Sequence, residues 1–157
     1  MKPTAPAIVP MKRSHIKACD GIVAASEPWK TLNDGIDFAS AFSRNGRMSK
    51  AYVCMLGGEP AGFILFTPEP VFARGGYLRA IGVSPKFRRQ GIGKKLLEFA
   101  ENMTARHSLY FYLCVSSFNR KAQAFYRDRG YTRVGKLPGL IMPGASEYIY
   151  WKRLRPR

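Results

Sequence analysis

Residues 83–94 read Val-Ser-Pro-Lys-Phe-Arg-Arg-Gln-Gly-Ile-Gly-Lys. They join a strand-like run (76–83) to a helix-like one carrying Leu96, Leu97, Phe99, Ala100 and Met103. Glycine lets backbone N–H groups curl close around an anion, and a helix N-terminus adds free donors and partial positive charge. Arg88, Arg89 and Lys94 bring formal charge to the same place. A chain built this way is committed to a strand, a tight anion-holding turn and a helix in immediate succession.

At 157 residues with 46% hydrophobic content, the sequence predicts one domain spanning 1–157 with a substantial core, residues 1–6 being loosely ordered. No apolar run reaches the ~20 residues a membrane-crossing helix needs, so no membrane partner is expected. Residues 1–10 hold one lysine and three prolines without a signal-peptide core. Cys19, Cys54 and Cys114 fit neither a disulfide framework nor a zinc spacing, which reads as reduced thiols of a cytoplasmic, metal-free protein. The formal charge of +16 calls for an anionic ligand, a polyanionic partner or a solvated surface. Because the cations are spread along the chain, a dedicated nucleic-acid arm is possible but not favoured.

The expected elements follow from periodicity and turn chemistry. An edge strand covers 7–11, and Ser14 caps a helix through Ile16, Cys19, Ile22 and Val23. The Glu27-Pro28-Trp29 break precedes a second helix, capped by Asp34, with Ile36, Phe38, Ala41 and Phe42 as its apolar set. Runs 51–56 and 61–66 around Gly57-Gly58-Glu59-Pro60 read as a hairpin, and 67–75 as a loop. After the glycine segment come a helix to about residue 106, a strand at 110–115, a helix at 120–129 closed by Gly130, and strands at 131–137 and 147–154. The fold class is α/β (α+β), a mixed sheet faced by helices.

Arg88-Arg89-Gln90-Gly91-Ile92-Gly93 resembles the acetyl-CoA signature (R/Q)-x-x-G-x-(G/A) of the GNAT family of N-acetyltransferases. Asn119-Arg120-Lys121-Ala122 leading to Phe125-Tyr126 and Gly130-Tyr131 is similar to that family's second signature, in the expected order and separation. The resemblance spans nearly the whole chain. It implies a mostly antiparallel mixed sheet, splayed between its fourth and fifth strands and flanked by about four helices, with acetyl-CoA as co-substrate.

The resemblance also implies roles. Backbone N–H groups from Gln90 through Gly91, Ile92 and Gly93 to Lys94 would hold the pyrophosphate, with charge from Arg88, Arg89 and Lys94. The backbone of Ile81 and Val83 in the gap would pair with pantetheine as an added strand does. Asn119 would bond the pantetheine arm, cap its helix, or do both. Tyr126 would donate to the departing thiolate, or else simply pack in its helix. A phenol near pKa ~10 and a thiol near ~8.5 make full proton transfer cost roughly 2 kcal/mol.

The chain departs from many relatives in having no acid on strand four or five. Cys114, where the ribosomal-protein alanine acetyltransferases carry Glu, reads as a small hydrophobe, and His15 and His107 as structural or exposed. Freeing a lysine-type amine at pH 7 costs roughly 4.6 kcal/mol against about 1 for an α-amine, which favours a low-pKa acceptor deprotonated by water. Glu147 is the remaining base candidate; its alternative is an exposed strand-end acid. Trp29 and Leu32 would line one acceptor wall and residues 138–146 the other, Trp29 stacking on the acceptor or plugging the core. The expected activity is direct acetyl transfer to an amine of a small molecule or a peptide α-amine, by a monomer or homodimer. The alternatives are a toxin-like acetyltransferase of aminoacyl-tRNA and a non-catalytic CoA-binding module.

Overall fold

The computed structural model describes residues 5–38 and 49–154. Seven strands form one sheet in the order β1-β2-β3-β4-β5-β7-β6. In chain order the elements are β1 (Ala7–Pro10), α1 (Ile16–Ala24), α2 (Trp29–Leu32), β2 (Lys50–Leu56), β3 (Glu59–Phe72) and β4 (Gly75–Val83). There follow α3 (Ile92–Thr104), β5 (Tyr110–Ser116), α4 (Arg120–Arg127), β6 (Thr132–Pro138) and β7 (Ser146–Arg153). Every neighbouring pair is antiparallel except β4 and β5, which run parallel.

The strands alternate their apolar side chains between two cores. Cys54, Ile64 and Phe66 join Leu96, Leu97 and Ala100 of α3 on one face, together with Tyr126 of α4. Val53, Phe63 and Leu65, their neighbours in sequence, pack with Cys19, Ile22 and Val23 of α1 on the other. Both helices behave as their periodicity predicts.

Three local expectations are corrected. Ser14 does not cap α1; it sits in a short 3-10 turn (Arg13–His15) leading into the helix. Asp34 does not cap the second helix: residues 34–37 are irregular, helix begins only at Phe38 with its continuation outside the described residues, and α2 is an additional short turn ahead of them. Pro28 is tolerated because it stands at the start of α2, where its missing N–H costs nothing. The Glu27 carboxylate accepts from the Thr31 N–H (3.2 Å) and hydroxyl (2.8 Å), bracing that turn. Phe38 is buried as expected, while Ala41 and Phe42 lie outside the described residues. Residues 67–75, read as a loop, continue β3 to Phe72 and turn at Ala73-Arg74, with φ of +39° and +67°, directly into β4. The ladder lapses between Thr67 and Phe72, where Pro68 and Pro70 have no N–H to give. Proline content made a strand look like a loop.

What positions the site is the parting of β4 from β5. Gly75 to Leu78 pair with Tyr110 to Leu113, and the pairing stops there. On its other edge β4 shifts register against β3 between Leu78 and Ala80, leaving Arg79 as a bulge. Beyond the bulge, Ala80 to Val83 keep β3 on one side and face a cleft on the other.

Candidate active site

The cleft is a cavity of about 890 Å³. It brings together Trp29, Leu32, Ile81, Val83, Arg88, Arg89, Gly93, Asn119, Tyr126 and Glu147, ten of the fourteen expected site positions. A second cavity of about 240 Å³ adjoins it through Val83, Arg88, Arg89, Gly93 and Phe125, and adds Gly91, Ile92 and Lys94. Gln90 is exposed and lines neither.

At the start of α3 the backbone is laid out for an anion. Gly91 holds φ +74°, and no side chain caps the helix. The first intrahelical bond there runs from Lys95 N–H to Gly91 C=O (3.0 Å), so the N–H groups of Ile92, Gly93 and Lys94 precede the ladder. Positive φ explains the glycine at 91, since an added Cβ would meet no atom within 4 Å. At Gly93 the added Cβ would sit 3.4 Å from the Phe125 ring, an ordinary contact. The Ile92 side chain is only 1% exposed, so this residue offers the cavity its backbone alone.

The arginines are not equivalent. Arg88 donates to Ser26 Oγ (3.1 Å), with longer contacts to Ala25 O and Val83 O, and so ties the end of α1 to the end of β4. Arg129, which sequence reasoning passed over, lines the smaller cavity. Its guanidinium lies 3.7 Å from the Phe125 ring centroid and donates through Nη1 to Phe125 O (2.8 Å), while its buried Nε has no hydrogen-bond partner. The signal for Arg129 is its place four residues after Phe125, in the turn that closes the helix bearing the second motif.

Asn119 caps α4, its Oδ1 accepting from Ala122 N–H (3.2 Å), which leaves its amide donors free of that role. Gln123 of the same helix donates to Ser116 O and Ser117 O, pinning α4 to the end of β5. That pin fixes Tyr126, 6% exposed, against the cavity, with edge-on ring contacts to Phe125 and Tyr131. Burial pushes the Tyr126 phenol well above its ordinary range, with Arg129 opposing weakly.

Across the cavity, Glu147 is 6% exposed rather than a solvated strand-end acid. Antiparallel register sets it opposite Ser116, whose hydroxyl donates to Glu147 Oε1 at 2.6 Å. Cys114 is half-buried and lines the cavity instead of filling a core, its thiol raised by burial and by Glu147 while Tyr77 opposes. Trp29 packs 6.0 Å from Phe63 and also lines the cavity, as does Leu32. The β6–β7 loop supplies Leu140 and Ile141 to the facing wall. His15 and His107 line neither cavity. Among the described residues no group of His, Cys, Asp and Glu could hold a metal ion, and no helix is long and apolar enough to cross a membrane.

Comparison with known proteins points the same way. The family model "Acetyltransferase (GNAT) family" matches residues 16–131. Ard1 from Thermoplasma volcanium superposes with a TM-score of 0.80 at 20% identity, covering 97% of this chain and 99% of that one. The ribosomal-protein-S18-alanine N-acetyltransferase from Escherichia coli gives 0.77 at 19%, covering 95% and 94%. An aminoglycoside 6′-N-acetyltransferase complexed with coenzyme A gives 0.74 at 18%, covering 96% and 98%. These similarities carry the fold, and the family match, across the parted strands, the glycine turn and the second motif, carries the rest: the chain belongs to the GNAT family of acetyltransferases, enzymes that draw on acetyl-CoA.

Proposed function

We propose that this protein moves an acetyl group from acetyl-CoA directly to an amine in a ternary complex. The observation that carries the reading is one cavity whose lining includes the free edge of β4, Tyr126 and Glu147. The residues fit the co-substrate: an uncapped helix N-terminus, a glycine in positive φ, and an arginine whose buried Nε lacks a partner all suit phosphates. Acetyl-CoA supplies an activated thioester carbonyl and a thiolate leaving group. The N–H groups of Ile92, Gly93 and Lys94 hold the pyrophosphate, with charge from Arg89, Lys94 and Arg129. The backbone of Ile81 and Val83 and the Asn119 amide orient the pantetheine arm.

Because burial raises the Tyr126 phenol, this hydroxyl keeps its proton and steadies the departing sulfur by hydrogen bond, rather than by full proton transfer. Glu147, held by Ser116, accepts a proton from the acceptor nitrogen. A carboxylate in the cavity widens the acceptor range beyond the low-pKa amines that water alone could serve. The test is thiol release from acetyl-CoA with a panel of amines, comparing the wild type with Tyr126→Phe. Turnover by the wild type, lost in the variant at unchanged CoA affinity, supports the reading; no thiol release with any amine overturns it.

A further inference from the structure

The acceptor end of the cavity holds two features that the acetyl-transfer reading does not use. Leu140 is 58% exposed and Ile141 52%. Of the six large, exposed hydrophobic residues among those described, these two alone line the cavity. They are not on a loose tail. Gly139 N–H bonds Ala145 O (2.9 Å), and the loop's base is bound to the end of β5 through Ser117 N–H to Ser146 O (2.8 Å) and Ser146 N–H to Ser117 Oγ (3.1 Å). Trp29 and Leu32 line the same cavity. Apolar area kept in water at the mouth of a reaction site gains free energy when a ligand covers it.

The second feature is charge. Beside that apolar lining the cavity carries the cations Lys30 and Arg79 and the carboxylates of Glu27, Asp34 and Glu147. Among the described residues none of the five is in an ion pair, Glu27 being engaged only by Thr31. Two positive against three negative charges leaves one negative, which a single ammonium balances. A polycation gains nothing further from such a lining. The other cations at the cavity, Arg88, Arg89 and Lys121, belong to the turn before α3 and to α4.

We infer that the acceptor is a monoamine bearing an apolar group close to its nitrogen, the amine at Glu147 and the apolar group between Trp29 and Leu32 on one side and Leu140 and Ile141 on the other. The inference rests on the acetyl-transfer reading. The same chemistry is offered by an arylalkylamine and by a peptide whose first residue is apolar. Acetylation of 2-phenylethylamine, ethanolamine and spermidine is compared by kcat/KM, with peptides beginning in Leu or Asp as the second arm.

Phenylethylamine exceeds ethanolamine by about 10²-fold, in line with what an apolar pocket discriminates. The Leu140→Asn, Ile141→Asn double variant narrows that ratio about tenfold. Preference for the Leu peptide over phenylethylamine identifies the peptide as the source, and the reverse identifies the small amine. Binding of the same amines, read from Trp29 fluorescence in a Trp151→Phe background, shows the same selectivity independently of turnover. Selective binding without turnover therefore overturns the acetyl-transfer reading and leaves the acceptor assignment standing. Equal use of polar and apolar amines, preference for spermidine, or a double variant that alters self-association without narrowing the ratio overturns the inference.

Discussion

The two ends of the cavity are built in opposite ways. The donor end is local and made largely of backbone: residues 83–94 supply the free strand edge, the positive-φ glycine and the uncapped helix start. The acceptor end is assembled from side chains far apart in the chain, namely Trp29 and Leu32, Tyr77, Cys114 and Ser116, and Leu140, Ile141 and Glu147. Backbone donors depend on φ/ψ and therefore on a short run of residue types. A pocket of converging side chains depends on every element that carries one. One end can stay fixed while the other is free to be rebuilt for a different acceptor.

Substitutions at the junction and then at each end would break this division if it is wrong. Tyr126→Phe removes the hydroxyl at the junction and lowers kcat about 10³-fold with CoA affinity unchanged, measured by thiol release and calorimetric titration. A loss under threefold would reduce Tyr126 to a packing residue. Glu147→Gln keeps an oxygen for Ser116 but no base; it lowers kcat/KM about 10²-fold, again with CoA affinity unchanged. An unaltered kcat/KM would remove Glu147 from the mechanism.

At the donor end, Gly91→Ala must hold a side chain at φ +74°, which costs about 1–2 kcal/mol and weakens CoA about tenfold while leaving amine binding intact. Gly93→Ala sharpens the contrast: its Cβ meets Phe125 at ordinary distance, so lost CoA affinity at unchanged Tm isolates crowding of the phosphate from strain.

The smallest effect lies in the core beneath the acceptor wall. Burial, with Asp20 adding to it, pushes the Cys19 thiol from 9.0 up to about 12. A folded pKa raised above the unfolded value means the stabilisation is complete below pH ~9 and is lost as pH climbs toward 12. Tm should fall over that window, and Cys19→Ala should fall less steeply.

The legibility of the chain follows the same division. The element order, the β2–β3 hairpin at Gly57-Gly58 and the amphipathic α3 were readable because period, paired glycines and apolar spacing are local properties. The run through Pro68 and Pro70 was misread because a missing N–H looks alike in a loop and at a lapse in a ladder. Asp34 does not act as the expected cap because its carboxylate accepts from the adjacent Gly35 N–H and residues 34–37 stay irregular, helix beginning only at Phe38. Arg88 lines both cavities, and the sequence could not show that its guanidinium also reaches Ser26 and Ala25, contacts set by how α1 packs.

Residues 83–94 and 119–131 by themselves pointed to the family and its donor, since an anion held by backbone leaves its imprint in closely spaced glycines and cations. Only the tertiary structure decided that Glu147 is buried against Ser116, that Arg129 reaches the smaller cavity, and that Leu140 and Ile141 share the lining of the larger one with Trp29. Those relations are set by β5–β7 register, by the pinning of α4 to β5 and by the parting of β4 from β5. They are distances between residues remote in sequence, and no local pattern encodes them.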